Sequence, residues 1–229
     1  MSTLKFEISH FVSTHKNPLT WLQSVRTILT WHGIRTHALK QTGWNETRRT
    51  KRAVLHEHPI PWWTYGSIQF IDQIVTTKSR ILEIGGGNSS LYWMERGNHL
   101  VTLETDSKWI NMLTHDERFD VEKHKIIHIP KEDLKLIVNE LENEFFDVVI
   151  NDGSGDRASI GEYLATKVQE DGIIIWDNSE RETDKKAIEH LKLNGWKALE
   201  FYGLGPINAY AWQTSILYRA DIKSLLMKP

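Results

Sequence analysis

Three consecutive glycines, Gly85, Gly86 and Gly87, follow an apolar stretch that begins at Arg80, and the polar residues Asn88, Ser89 and Ser90 come next. Glycine at positions 85 and 87 permits positive φ and lets backbone N–H groups approach a ligand at the N-terminus of a following helix. An acid, Glu104, with Thr105 behind it, stands 19 positions after Gly85. At the tip of a second strand such a carboxylate accepts hydrogen bonds from both hydroxyls of a ribose. Strand, glycine turn, helix, strand and terminal acid together form a nucleoside-binding unit. A tight strand-to-helix connection takes glycine for structural reasons alone, so Glu104 carries much of this reading. A dinucleotide site asks for a third glycine where Ser90 stands. The acidic Glu83 suits a ligand with a cationic amino group better than a diphosphate.

A second group of polar residues follows two later apolar runs. Asn151 and Asp152 come just after the run 146–150, and Asp177 and Asn178 just after 173–176. Open α/β sheets bind ligands at the ends of their strands, so these side chains are expected at one sheet edge. Three readings stay open there. Asp152, Asp177 and Asn178 offer the hard oxygen ligands of a Mg²⁺-type site, where a metal would lower the pKa of a hydroxyl. Asp152 alone can serve as a general base, with Arg157 and Arg181 pairing with an anionic substrate. Asp and Asn after strands also simply cap the next helix or turn.

The elements that must position these residues alternate. Strands are expected at 81–84, 100–103, 125–129, 146–150 and 173–176, and helices at 89–96, 108–114, 131–140 and 158–169. Such alternation means a mostly parallel sheet covered on both faces. A helix at 184–193 and strands at 197–202 and 214–218 predict a closing antiparallel pair. The fold class is α/β: a Rossmann-like, doubly wound, seven-stranded sheet with a helical and irregular N-terminal extension. The extension is expected over 1–60 and the main domain over 61–229. Within it, Asn17 and Pro18 cap a packing helix whose stripe is Leu19, Leu22, Val25, Ile28 and Leu29. Residues 33–58 lack periodicity and read as a long loop folding over something.

Composition narrows the partners. The 28 basic and 30 acidic residues give a formal charge of −2, so no global field draws the chain to nucleic acid or acidic membranes. Charge is uneven, with a net +6 through Ile60 and −8 beyond it. With no cysteine, disulfides, thiolate metal sites and cysteine nucleophiles are excluded. Residues 1–11 lack the order of a secretory signal and no apolar run reaches the ~20 residues of a membrane span. A cytoplasmic location is the simplest fit. Oligomeric state is open, a homo-oligomer included.

The acid-x-Gly-x-Gly turn Glu83, Ile84, Gly85, Gly86, Gly87 with Glu104 resembles the class I S-adenosylmethionine-dependent methyltransferases over residues 79–218. The resemblance implies that Gly85 and Gly87 line the methionine part and Glu104 holds the ribose, with Asp133 a candidate for the adenine amino group. Asn88, Ser89, Thr105, Asn151 and Tyr65 join the expected cofactor contacts. Residues 61–65, 87–90 and 201–206 are similar to a group of bacterial methyltransferase-like proteins. The Asp152, Asp177, Asn178 arrangement partly resembles catechol O-methyltransferase-like enzymes, which hold a divalent cation there. The expected function is methyl transfer to a small molecule or sugar, to oxygen in preference to nitrogen. Alternatives are an aminopropyl transferase, whose glycine turn continues Asp-Gly rather than Asn88-Ser89, an NAD-linked oxidoreductase, and a non-catalytic S-adenosylmethionine-binding protein. Methyl transfer asks little beyond alignment and one base, for which Asp152 is the candidate.

Other features are expected to be bland. Trp62, Trp63 and Tyr65 could flank a sulfonium by cation–π contact, with at least one of them in the core. His56, Glu57 and His58 look like half a metal site but read as a solvated loop. The basic run 48–52 could touch phosphate but reads first as exposed surface, and it lacks the interleaved aromatics of a nucleic-acid tract.

Overall fold

The structure is a computed structural model that describes residues 18–221, with nothing stated for the side chains of residues 18–20. The expectations for residues 1–11 and for a cap at Asn17 therefore lie outside the described residues. Two compact units are present, Met1–Asn45 and Glu46–Pro229. Residues 46–60 thus belong to the second unit, and the boundary falls earlier than the expected position 60.

The first unit contains helix α1 (Pro18–Gly33), a π-helical turn Ile34–Ala38 and the short α2 (Leu39–Gln41). The stripe read as packing is largely not packed, since Leu22, Ile28 and Leu29 are exposed. Helix α3 (Trp44–Thr50) leads into the second unit, followed by a hairpin of β1 (Val54–Leu55) and β2 (His58–Pro59). The long loop expected over 33–58 is thus mostly structured. It is held by polar contacts rather than by an apolar period: the Glu46 carboxylate accepts from the N–H groups of both His56 and Glu57 at 3.0 Å. Those two residues, at φ 52° and 71°, form the exposed two-residue tip that a primed hairpin turn requires.

The main sheet has the strand order β5-β4-β3-β6-β7-β9-β8. Its members are β3 (Arg80–Ile84), β4 (His99–Glu104), β5 (His124–His128), β6 (Phe146–Asn151), β7 (Val168–Asp177), β8 (Lys197–Gly203) and β9 (Trp212–Tyr218). All neighbours through β7 are parallel, and β9 runs antiparallel to both β7 and β8. Helices α4 (Tyr65–Ile74), α5 (Asn88–Glu95), α6 (Ser107–Thr114), α7 (Leu134–Glu140), α8 (Arg157–Lys167) and α9 (Glu182–Leu193) cover it. Alternate strand residues feed two cores: Ile81, Val148, Ile150, Ile173 and Ile175 pack with α4 and α5, while Leu82, Val149 and Ile174 pack with α8 and α9.

One boundary moved. The expected helix 158–169 stops at Lys167, and β7 starts at Val168 rather than 173. Val168 pairs with Phe146 before a register shift, a bulge that hides the strand's start among polar residues. The chain passes from β3 outward to β4 and β5 and returns to β6 on the other side of β3. That reversal opens a crevice between β3 and β6 at their C-terminal ends.

Candidate active site

The turn leaving β3 is built around Gly85 at φ +91°. A Cβ there would lie 2.5 Å from Gly153 Cα and 2.7 Å from Gly153 N, so only glycine lets the two strand ends meet. Gly86 N donates to Glu104 Oε2 at 2.6 Å, while Thr105 N and Asp106 N donate to Glu104 Oε1 at 2.6 and 2.7 Å. One carboxylate thereby ties the glycine turn to the end of β4. Gly87 N donates to Ser90 Oγ, which in turn donates to the buried Glu83, as does Thr102 Oγ1 at 2.9 Å. Burial lifts the Glu83 carboxyl to about 7, against the hydroxyls of Ser89, Ser90 and Thr102 that favour its charge. At Gly87 a Cβ would meet nothing nearer than Trp109 at 3.9 Å, so this glycine presents bare backbone to open space.

Across the crevice, Arg157 organises the ends of β6 and β7. Its guanidinium lies 3.3 Å from Asp152 Oδ1 and donates to Gly153 O and Asp177 O, both at 2.7 Å. Trp63 Nε1 donates to Asp152 Oδ2 at 3.1 Å. Trp212 Nε1 and Thr214 Oγ1 donate to Asp177 Oδ1 at 3.0 and 2.6 Å. Burial raises the affinity of both carboxylates for protons, offset at Asp152 first by the Arg157 charge and reinforced at Asp177 by the charge of Asp152. Asp152, beside the guanidinium, is the partner that holds a negative charge more readily.

These two halves face one cavity of about 700 Å³. Of the residues singled out in the sequence, Gly85, Gly86, Gly87, Asn88, Ser89, Glu104, Asp152, Asp177, Asn178 and Arg181 line it. The remainder stand elsewhere. Glu83 lies beneath the glycine turn as its anchor. Asn151 is fully buried and donates to Arg157 O at 3.1 Å, holding the start of α8. Arg157 is likewise buried and committed to neighbouring backbone, so it is no substrate anchor. Tyr65 packs against the core, with its N–H donating to Leu204 O. Thr105 turns back on Glu104. Asp133 closes an exposed 3₁₀ turn and is not among the residues lining the cavity. Trp63 is wholly buried, while its neighbour Trp62 lines the cavity.

The donor set does not fit a divalent cation. Among the described residues no three His, Asp or Glu side chains converge as metal ligands. Asp152 is engaged by Arg157 and Trp63, and Asn178 Oδ1 accepts from Arg181 at 2.8 Å. A buried guanidinium stands among the oxygens that the Mg²⁺ reading required, so these side chains are committed to protein partners. The sequence reading also missed wall residues: Trp109 and Met112, one turn apart on α6, and Asp106, Ile207, Asn208, Tyr210 and Trp212. Trp109 and Met112 leave a readable trace, apolar positions that the core contact of Leu113 does not use. Lys51 and Arg52 are exposed, as expected of the basic run, and line the cavity as well.

No known family model matches the chain, and no curated protein matches it in sequence. Solved structures are similar in fold. An O-methyltransferase from Bacillus cereus, in complex with SAH, matches with a TM-score of 0.55 and 16% identity, over 79% of this chain and 90% of that one. An O-methyltransferase from Streptomyces achromogenes involved in tomaymycin synthesis, in complex with SAM, matches at 0.53 and 13%, over 80% and 89%. Spermidine synthase from Thermotoga maritima matches at 0.50 and 15%, over 66% and 58%. At such identities the likeness establishes architecture alone: the chain shares with these structures a Rossmann-like, doubly wound α/β fold.

Proposed function

We propose that this protein is an S-adenosylmethionine-dependent methyltransferase acting on oxygen of a small molecule or sugar, without a metal. The observation that carries the reading is the continuity of one cavity from the bare backbone of Gly85–Gly87 and the Glu104 carboxylate to Asp152. After accepting from three backbone N–H groups, Glu104 keeps one lone-pair site, on Oε2, for a ribose hydroxyl. Gly87 and Ser89 line the path expected for the methionine part, with Trp62 and Trp109 as aromatic walls. When bound, S-adenosylmethionine supplies a methyl group already activated on a sulfonium. Asp152, fixed by Trp63 and Arg157, accepts the hydroxyl proton as the acceptor oxygen takes the methyl. Its raised proton affinity matches it to that task better than an exposed carboxylate.

The aminopropyl alternative lacks the Asp-Gly that continues its glycine turn, where this chain has Asn88 and Ser89. Calorimetric titration with S-adenosylmethionine, its demethylated product and NADH tests the reading. Micromolar binding of the first two and none of NADH is expected; binding of NADH alone, or of none, overturns it. A protein that binds cofactor but loses no turnover in Asp152→Asn is instead a non-catalytic binder.

A further inference from the structure

The basic run, residues 48–52, plays no part in the mechanism above, yet the fold spends several contacts placing it. Thr47 Oγ1 accepts from Ile207 N at 2.9 Å and Arg48 Nη1 donates to Ile207 O at 3.0 Å, which fastens α3 to the loop between β8 and β9. At the other end Ala53 O accepts from Asn88 Nδ2 at 2.7 Å, beside the glycine turn. Between these anchors Lys51 is held at φ 59° and lines the cavity with Arg52. Two further residues of the same wall, Asn178 at φ 52° and the β-branched Ile207 at φ 66°, share this disfavoured backbone. Left-handed backbone at non-glycine residues persists where surrounding contacts impose it, and such residues gather at ligand sites.

The charges in the wall divide. Glu104 and Asp106 stand at the end of β4, on the nucleoside side. Asp152 is paired with Arg157 at 3.3 Å, and Asp177 is engaged by Trp212 and Thr214 in a site where burial raises its proton affinity. That leaves Lys51, Arg52 and Arg181, none of which forms an ion pair with a carboxylate among the described residues. Arg181 donates to Asn178 and lowers the proton affinity of Asp152, so it stands at the acceptor end. A single cofactor carboxylate would leave most of this positive charge uncompensated.

Resting on the methyltransferase reading, we propose that the acceptor carries a carboxylate or phosphate group, bound by Lys51, Arg52 and Arg181. Arginine and lysine together suit such a group, since guanidinium pairs with its oxygens bidentately and ammonium adds a point charge. Loss of affinity with rising ionic strength follows.

The test uses the full chain saturated with S-adenosylhomocysteine and three probes: inorganic phosphate, glucuronate and neutral glucose. Tryptophan fluorescence reads binding, with Trp62 and Trp212 in the wall. Phosphate and glucuronate are expected to bind and glucose not to. The combined Lys51→Gln, Arg52→Gln, Arg181→Gln variant should weaken the anions by about tenfold or more and leave S-adenosylhomocysteine affinity within about twofold. Arg49→Gln, an exposed member of the same run outside the cavity, should change neither. If neither anion binds the wild type, or if the combined variant loses cofactor affinity while anion binding stays intact, the proposal is overturned; the second result assigns the cations to the cofactor's own carboxylate. Failure to bind S-adenosylhomocysteine at all would refute the methyltransferase reading alone, and the same anion titration on the unliganded protein would then decide this inference.

Discussion

Two glycines of the same turn, Gly85 and Gly87, should fail in different ways when a methyl group is added. At Gly85, Ala would hold φ near +91° and push its Cβ to 2.5 Å from Gly153 Cα and 2.9 Å from Asp152 C, all backbone atoms that cannot rotate away. Left-handed backbone costs a non-glycine residue about 1–2 kcal/mol. Overpacking adds about 1–3 kcal/mol. Gly85→Ala should therefore lose roughly 2–5 kcal/mol of unfolding free energy and displace Asp152. At Gly87 the same methyl meets only Trp109, at 3.9 Å, and projects into the cavity. Its cost to the fold is that of a poorer helix cap at α5, about 1 kcal/mol. Its cost to S-adenosylhomocysteine binding should be about tenfold or more, because the cradle is filled. Urea unfolding and calorimetric titration of both variants separate the two effects. A Gly85→Ala protein as stable as wild type, or a Gly87→Ala protein that binds with unchanged affinity, would refute the reasoning.

Asp152→Asn should lower kcat by about 10²–10⁴ while S-adenosylhomocysteine affinity stays the same. The base must be unprotonated, so kcat/KM should rise with pH through a limb lying above the ordinary carboxylate range, and the variant should lose that limb. Arg157→Gln removes the charge opposing proton uptake by Asp152, so the limb should move to still higher pH, and unfolding free energy should fall by about 3–5 kcal/mol. Glu83 has a folded pKa of about 7 against 4.5 for the free group. Because the folded pKa is raised, ionisation destabilises the fold progressively as pH climbs from 4.5 through 7, by about 3 kcal/mol in full. Glu83→Gln should then gain stability relative to wild type at pH 8 but not at pH 4, read by thermal unfolding. Thr47→Val removes the acceptor for Ile207 N and should raise the acceptor KM with cofactor affinity unchanged, since it loosens only the loop.

Much of the sheet was legible because its strands are buried on both faces and read as short apolar runs, as at Phe146–Asn151. The cofactor half of the site was legible for a related reason: a glycine turn and a terminal acid are local patterns with a fixed spacing. What the sequence hid depends on contacts distant along the chain. Nothing near Arg157 announces that its side chain turns inward to hold Gly153 O and Asp177 O, among the residues Asp152, Asp177 and Asn178 that suggested a metal. Lys51 and Arg52 look like surface until Thr47 and Ala53 are seen bound to Ile207 and Asn88. Asp133 came from the family resemblance, and the turn it closes stands exposed. The stripe of α1 shows the reverse failure, since apolar period alone did not bury Leu22 or Leu29.

A crystal structure grown with S-adenosylhomocysteine tests the central claim most directly. The ribose hydroxyls should lie within hydrogen-bond distance of Glu104, the homocysteine part should run along Gly85–Gly87, and the sulfur should point toward Asp152. Ligand density anywhere else on the molecule, or a ribose turned away from Glu104, would contradict it.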